Sequence, residues 1–379
     1  MKVLVIDEIS EETRAALSGL GLELSYEPDA ESHALPDMLG DTQVLVTGKT
    51  RVTRRAIEAA SALQAILRAG VGVDNVDTQA ASERGILVAD CGHADANARA
   101  ELAMGLILTL DRGIHRGPGS GCGLRGRTLG LHGWDPVAAV LARIAQGFGM
   151  RVLVSARSLT PTLAAENGVH WADSPESLYK RSDVVSLHPE AADEVLATAP
   201  RIASLHEAAT LVDVAGRGHF DVPAVAERLA KSTLRLGLDG YDKDDFGDEL
   251  PFALDLGPQL AVTHRQAGRT RQVDEVVAHQ VVSALESFVA SRSMPGTLNL
   301  ADARGAATLL VRHLPGPEVL SAVFDTLKDA ECEIAHATSQ AFSGGKAALL
   351  RVALARSPGR TLVGELEGLS GVLGVVIEG

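Results

Sequence analysis

This 379-residue sequence predicts an α/β protein of two doubly wound lobes followed by a smaller βαββαβ unit. Three observations carry that prediction. Short apolar runs alternate with amphipathic stretches through most of the chain, as parallel strands and their crossover helices require. A long apolar-periodic stretch at 273–291 can return the chain to its first lobe. After residue 306 the strands become closely spaced.

The elements follow in order. Residues 1–7, MKVLVID, read as a buried strand, and 10–20 as a helix capped by Ser10. Strands at 44–47, 65–68 and 86–89 are separated by helical stretches at 53–60 and 78–84. Residues 101–112, ELAMGLILTLDR, are apolar around most of the circumference and predict a buried helix, crossing between lobes or lying in an interface. A glycine-rich break precedes strands at 128–132, 150–154, 183–188, 210–214, 234–239 and 260–263. The last unit supplies a strand, a helix at 319–329, two strands, a helix at 361–367 and a final strand, in ferredoxin-like order. The expected division is a first lobe at 1–96 and 273–297, a second, Rossmann-like lobe at 97–272, a linker at 298–306 and a ferredoxin-like unit at 307–379.

A formal charge of −14 and the lack of a basic run argue against nucleic-acid or anionic-membrane partners. Cys91, Cys122 and Cys332 are odd in number and share no C-x-x-C spacing, so neither a disulfide framework nor a metal site is expected. The first residues reach an acid too early for a signal sequence, and no apolar run approaches the ~18 residues of a membrane span, so a cytoplasmic protein is expected.

The segment 125–154 has the form of a dinucleotide-binding βαβ unit without all of its glycines. Gly133 opens the turn, but a G-x-G-x-x-G pattern is broken by Asp135 and Ala138. Asp135 before Pro136 is instead a strong helix start, because the carboxylate accepts bonds from free N–H groups and proline surrenders none. The helix then carries its own anion, which repels a pyrophosphate from the N–H donors it normally uses. Weak or absent dinucleotide binding follows. At the end of the next strand Ala156 stands where an acid usually binds the ribose, and Ser155, Arg157 and Ser158 suit a 2′-phosphate, so NADP, with NAD second, is the cofactor expected if any binds.

The stretch from Arg68 through Ala69, Gly70, Val71, Gly72 and Asn75 to Asp77, then ERGILVAD, resembles the D-3-phosphoglycerate dehydrogenase branch of the D-2-hydroxyacid dehydrogenase family. GRTLG, FGMRVLV, SDVVSLH and the Gly237–Asp239 run add to the resemblance, and RHLPGPEVLSAVF with FSGGKAALLRVAL resembles an ACT regulatory domain. The resemblance implies substrate binding at Arg68, Ala69, Gly70, Val71, Gly72 and Asn75. It implies a cofactor site at Gly133, Asp135, Ser155, Arg157 and Asp239. It also implies an arginine for the substrate carboxylate and a histidine paired with a carboxylate for the hydroxyl proton.

The chain departs from those patterns. Where N-T-A-R-G-G is expected it has Gly216, with Arg217 one residue late. Where T-P-H-x-G is expected it has Thr263, His264 and Arg265, and the carboxylate partner is Asp244. The displaced candidates are therefore Arg217, Asp244 and His264. Val46, Thr47 and Gly48 stand where V-R-S is expected, losing a phosphate-binding arginine. In the ACT-like unit the effector candidates are His313, Glu318 and Glu333, with acids where an anion is received. Three readings stay open. One is a pseudoenzyme with a binding, regulatory or assembly role. Another is an active NAD(P)-dependent dehydrogenase of serine biosynthesis with displaced residues. The third is a structural subunit paired with an active paralogue. A small 2-hydroxy or amino acid is the expected ligand, and a homo-oligomer, dimer or tetramer, the expected assembly.

Overall fold

The computed structural model describes residues 1–114, 121–190, 194–216, 218–240, 259–300 and 306–378. The chain divides into two compact units, Met1–Leu298 and Asn299–Gly379.

The first lobe is a five-stranded parallel sheet in the order β2-β1-β3-β4-β5, where β1 is Lys2–Val5, β2 Glu23–Tyr26, β3 Val44–Thr47, β4 Ala65–Arg68 and β5 Leu87–Asp90. The inner strands β1, β3 and β4 are mostly apolar and buried, as strands covered on both faces are, whereas the edge strand β2 is part-exposed. Helix α1 (Glu11–Gly19) starts at Ser10, whose hydroxyl accepts from the Thr13 N–H. The other helices of the lobe are α2 (Leu35–Met38), α3 (Arg54–Ala59) and α4 (Thr78–Glu83). A long helix, Arg271–Ser291, returns to this lobe and buries Val281, Ala284, Leu285 and Phe288 in a core with Val3, Val5 and Val44.

The second lobe is a seven-stranded parallel sheet in the order β12-β11-β10-β9-β6-β7-β8. Here β6 is Thr128–His132, β7 Arg151–Ser155, β8 His170–Trp171, β9 Val184–Leu187, β10 Ala209–Asp213, β11 Leu234–Asp239 and β12 Leu260–Thr263. The buried helix expected at 101–112 is longer, α5 (Ala96–Arg112), and it packs into the second lobe's core rather than bridging to the first. Helix α6 (Pro136–Gly147) buries Val137, Ala138, Leu141, Ala142 and Ala145, one stripe at helical spacing. The cap-then-proline start of α6 recurs at Thr160 before α7 (Pro161–Glu166) and at Ser174 before α8 (Pro175–Arg181). Helices α9 (Ala199–Ala203) and α10 (Val222–Ala230) complete the lobe as described.

The second unit is a four-stranded antiparallel sheet in the order β14-β15-β13-β16, built from β13 (Ala307–His313), β14 (Ile334–Ala341), β15 (Ala348–Leu354) and β16 (Val372–Glu378). Its two helices, Pro317–Asp329 and Arg360–Glu367, share an apolar core with the sheet, in which Leu309, Val311, Val323, Leu350 and Leu366 are buried. The small antiparallel sheet with its βαββαβ order is compatible with an ACT-like domain. Among the described residues no helix is long and apolar enough to cross a membrane, no cluster of His, Cys, Asp and Glu could hold a metal ion, and the three cysteines are free.

Candidate functional site

In an open α/β sheet, ligands collect beyond the carboxyl ends of the strands where the strand order reverses. In the second lobe that point lies between β6 and β9, so the turn after β6 faces the segment after β9. The first side carries Gly133 and Asp135, and the second carries His188 and Glu190.

Gly133 has φ +97°, and a Cβ there would lie 1.7 Å from the His188 carbonyl oxygen. Only glycine fits this crossing of two backbones. Asp135 caps α6, its Oδ1 accepting from the Ala138 N–H at 2.7 Å. The same oxygen lies 3.1 Å from Nδ1 of His188, and the opposite ring nitrogen, Nε2, lies 3.0 Å from the buried Ser186 hydroxyl. Burial pushes the Asp135 pKa up, but the His188 hydrogen bond and charge, the Ala138 N–H and the Arg99 guanidinium outweigh it, and the carboxyl lies below its ordinary value. Asp135, His188 and Ser186 thus form a continuous chain across the switch point. Both ring nitrogens of His188 are engaged, and the ring is 2% exposed, so it holds Asp135 rather than offering a base to solvent.

Beside this chain lies a cavity of about 380 Å³ whose lining includes His132, Ser155, Arg157, Trp171, Glu190 and Arg201. Ser155 is buried, and its carbonyl accepts the Gly133 N–H at 2.9 Å. Arg157 donates to Glu190 at 2.9 Å and to Glu194 at 2.9 Å, and Glu190 also accepts from the Ser158 N–H and hydroxyl. The arginine expected to suit a 2′-phosphate is therefore already held by two carboxylates. His132 sits against the Tyr179 hydroxyl at 3.1 Å, and burial, with Arg201 nearby, pushes its pKa down to about 4.

Asp239 turns inward. Its carboxylate accepts from the Thr263 hydroxyl at 2.6 Å and from the Gln266 and Ala267 N–H groups at 2.9 Å each, fixing the loop after β12. That loop leaves His264 exposed and sets Arg265 at φ +49°. Asp213, at the end of β10, accepts from the Ala215 and His219 N–H groups and from the His219 ring. Arg217 and Asp244 lie outside the described residues.

A residue the sequence reasoning missed reaches the same region. Arg99, on α5, donates to Asp95 at 2.5 Å and to the Val214 carbonyl at 3.0 Å. Val214 is two residues before Gly216, where the expected arginine is missing. His188, Ser186, Glu190 and Glu194 were missed as well. Only Ser186 and His188 left a signal, since an i, i+2 spacing on a strand puts both side chains on one face.

In the first lobe the strand order reverses between β1 and β3. There Asp7 accepts from the Gly48 and Thr50 N–H groups at 2.6 and 3.1 Å, and from the Thr47 and Thr50 hydroxyls. Arg68 donates to the carbonyls of Gly48, Val71 and Gly72, and the Asn75 amide donates to those of Gly48 and Thr50. Ala69 donates its N–H to the Thr47 carbonyl, and Gly70 and Gly72 take positive φ, at +156° and +80°. The 68–75 loop is thus a closed hydrogen-bonded arch with Arg68 as its keystone.

In the second unit His313 is buried, with Nδ1 donating to the Leu314 carbonyl at 2.8 Å, and Glu318 folds back over Gly316 at the start of its helix. Glu333 lies at the other end of the sheet, since its carbonyl accepts from Ala355 whereas His313 pairs with Ala348. Within one chain the structure does not bring Glu333 to His313 and Glu318.

Two parallel-stranded lobes, each with its crevice at a reversal of strand order, define a doubly wound α/β protein. Residues 3–299 match the family model for the catalytic domain of D-isomer specific 2-hydroxyacid dehydrogenases. The chain belongs to that family. It is 30% identical over 310 residues to the D-3-phosphoglycerate dehydrogenase of Methanocaldococcus jannaschii, covering 76% of this chain and 58% of that relative's length. It is 32% identical over 266 residues to the hydroxypyruvate reductase of Thermotoga maritima, covering 66% of this chain and 85% of the relative. Among solved structures, that of NAD+-bound 3-phosphoglycerate dehydrogenase from Entamoeba histolytica superposes with a TM-score of 0.66 over 79% of this chain and 98% of that one. At 20% identity this likeness is one of fold.

Proposed function

We propose that this chain is a D-2-hydroxyacid dehydrogenase-family protein that has given up ordinary hydride transfer and serves as a binding or regulatory protein for a small 2-hydroxy or amino acid. The observation that carries the reading is Asp135, whose carboxylate already takes the Ala138 N–H and the His188 ring at the switch point. A dinucleotide pyrophosphate uses the N–H groups of such a helix start. Here it meets a fixed negative charge, and the residues present do not fit it. Arg157 is held at Nε by Glu190 and at one terminal nitrogen by Glu194, so a 2′-phosphate would compete with two carboxylates for it.

In this reading the 68–75 arch and the crevice beside it form the small-acid site. Residues 307–379 form an ACT-like regulatory domain, and the protein acts as a homo-oligomer or with an active paralogue. The test is titration of the full chain with NADH and NADPH by calorimetry, which should show no saturable binding at micromolar concentration. Micromolar binding of either cofactor overturns the reading.

One observation favours a second reading, an active NAD(P)-dependent 2-hydroxyacid dehydrogenase of 3-phosphoglycerate type. Arg99 brings a guanidinium to the end of β10, near the missing arginine. Turnover of NADH with hydroxypyruvate, lost in Arg99→Leu, would establish it.

A further inference from the structure

Helix α8 divides one face of the second lobe's sheet into two cavities, and the one at the amino ends of the strands has no part in the crevice described above. Residue pairing aligns Thr128 with Arg151 and Leu153 with His170. Alternate residues of a strand share a face, so these four side chains form one patch. Gly130 lies on the same face, and a Cβ there would meet Ser182 Oγ at 2.3 Å and Leu178 Cδ2 at 3.0 Å. The missing side chain lets α8 lie directly on β6, which brings its last residue, Arg181, to the end of the patch. The result is a cavity of about 420 Å³ lined by Thr128, Arg151, Val152, Leu153, His170 and Arg181.

Its charge is unusual for this molecule. The chain carries −14 overall, yet among the described residues no acid lines the cavity, Asp183 being turned to the Thr128 N–H at 2.8 Å, and two arginines and a histidine do. Three other arginines of the lobe carry acidic partners: Arg127 with Asp111 and Asp183, Arg157 with Glu190 and Glu194, Arg201 with Glu176. Arg151, Arg181 and His170 have no side-chain hydrogen bond or ion pair among the described residues. Two guanidinium forks and an imidazole from three different elements face one space. A planar carboxylate satisfies one fork, whereas the three oxygens of a phosphate dianion can meet both forks and the imidazole.

We propose that this cavity is a binding site for the phosphate group of a small phosphorylated metabolite. It shares no residue with the nucleotide turn and stands or falls apart from the reading of Asp135. The test is calorimetry on the full chain at low ionic strength, with inorganic pyrophosphate as the probe. One saturable site is expected in the wild type, weakened about 10- to 100-fold by Arg151→Ala or Arg181→Ala and abolished in the double variant. Both arginines are exposed, so the variants should melt with the wild type, and a circular-dichroism melt verifies that. The proposal is overturned if wild type gives no binding heat up to millimolar probe, if binding survives the double variant, or if malonate binds as tightly as pyrophosphate.

Discussion

Asp135→Asn separates the two roles of this side chain. The amide oxygen can still accept from Ala138 and face His188, so the cap is kept and stability should change by less than about 1 kcal/mol. The charge is removed. A pyrophosphate oxygen seated on the same N–H groups would lie roughly 4 Å from the carboxylate, where two unit charges repel by about 4 kcal/mol at an effective dielectric near 20. That is close to a thousandfold in affinity, so Asp135→Asn should gain NADH binding by about two to three orders of magnitude. Asp135→Ala should behave differently. It loses the cap, at about 1 kcal/mol, and leaves the buried His188 Nδ1 unpartnered, at about 1–3 kcal/mol. Its urea midpoint should therefore fall while Asp135→Asn stays near wild type. Fluorescence titration with NADH and urea unfolding by circular dichroism read the two effects on the same preparations. If Asp135→Asn binds NADH no better than wild type, repulsion by the carboxylate is not what closes the turn, and the account given for it fails.

Other perturbations follow from the same geometry. Gly133→Ala drives a methyl into the His188 carbonyl at positive φ and should cost roughly 3 kcal/mol or more, read as a fall in melting temperature; near-wild-type stability would contradict the close approach. His132, with its pKa pushed down to about 4, stays neutral in the folded protein while the unfolded chain takes up a proton below about 6.5. Stability is therefore highest above that range and declines as pH falls from about 6.5 to 4, by up to about 3 kcal/mol, and His132→Gln should flatten this part of the urea-midpoint profile. Releasing Arg157 with Glu190→Gln and Glu194→Gln, in the Asp135→Asn background, should shift preference toward NADPH over NADH, and an unchanged ratio would show that Arg157 cannot reach a 2′-phosphate.

The inner strands were legible because buried parallel strands and their crossover helices leave long-range periodicity in the chain, whereas the edge strands β2 and β8, short and part-exposed, carry no such apolar run and were missed. The helix start at Asp135 and Pro136 was legible for a local reason, since a cap and its N–H groups lie within four residues. His188 was not. It is 53 positions away, and only the pairing of β6 with β9 brings it to Asp135. The same holds for Glu190, whose hold on Arg157 turned a residue read as a phosphate acceptor into one already neutralised. Arg68 shows the converse: a residue expected at the ligand supports the loop beneath it, because three backbone carbonyls converge on its guanidinium. Short helices such as α7 and α9 escaped notice because two turns carry too few residues to establish a period.

The first lobe's Asp7 and the second lobe's Asp135 each complete a turn from within the chain. A protein whose nucleotide turn is finished by its ligand grows more stable as that ligand accumulates, by the logarithm of the ratio of ligand to dissociation constant. Here the turn is finished at synthesis. On the reading proposed above, its folding free energy is insulated at this point from the nicotinamide pool, and the amount of folded protein need not follow the metabolic state of the cell.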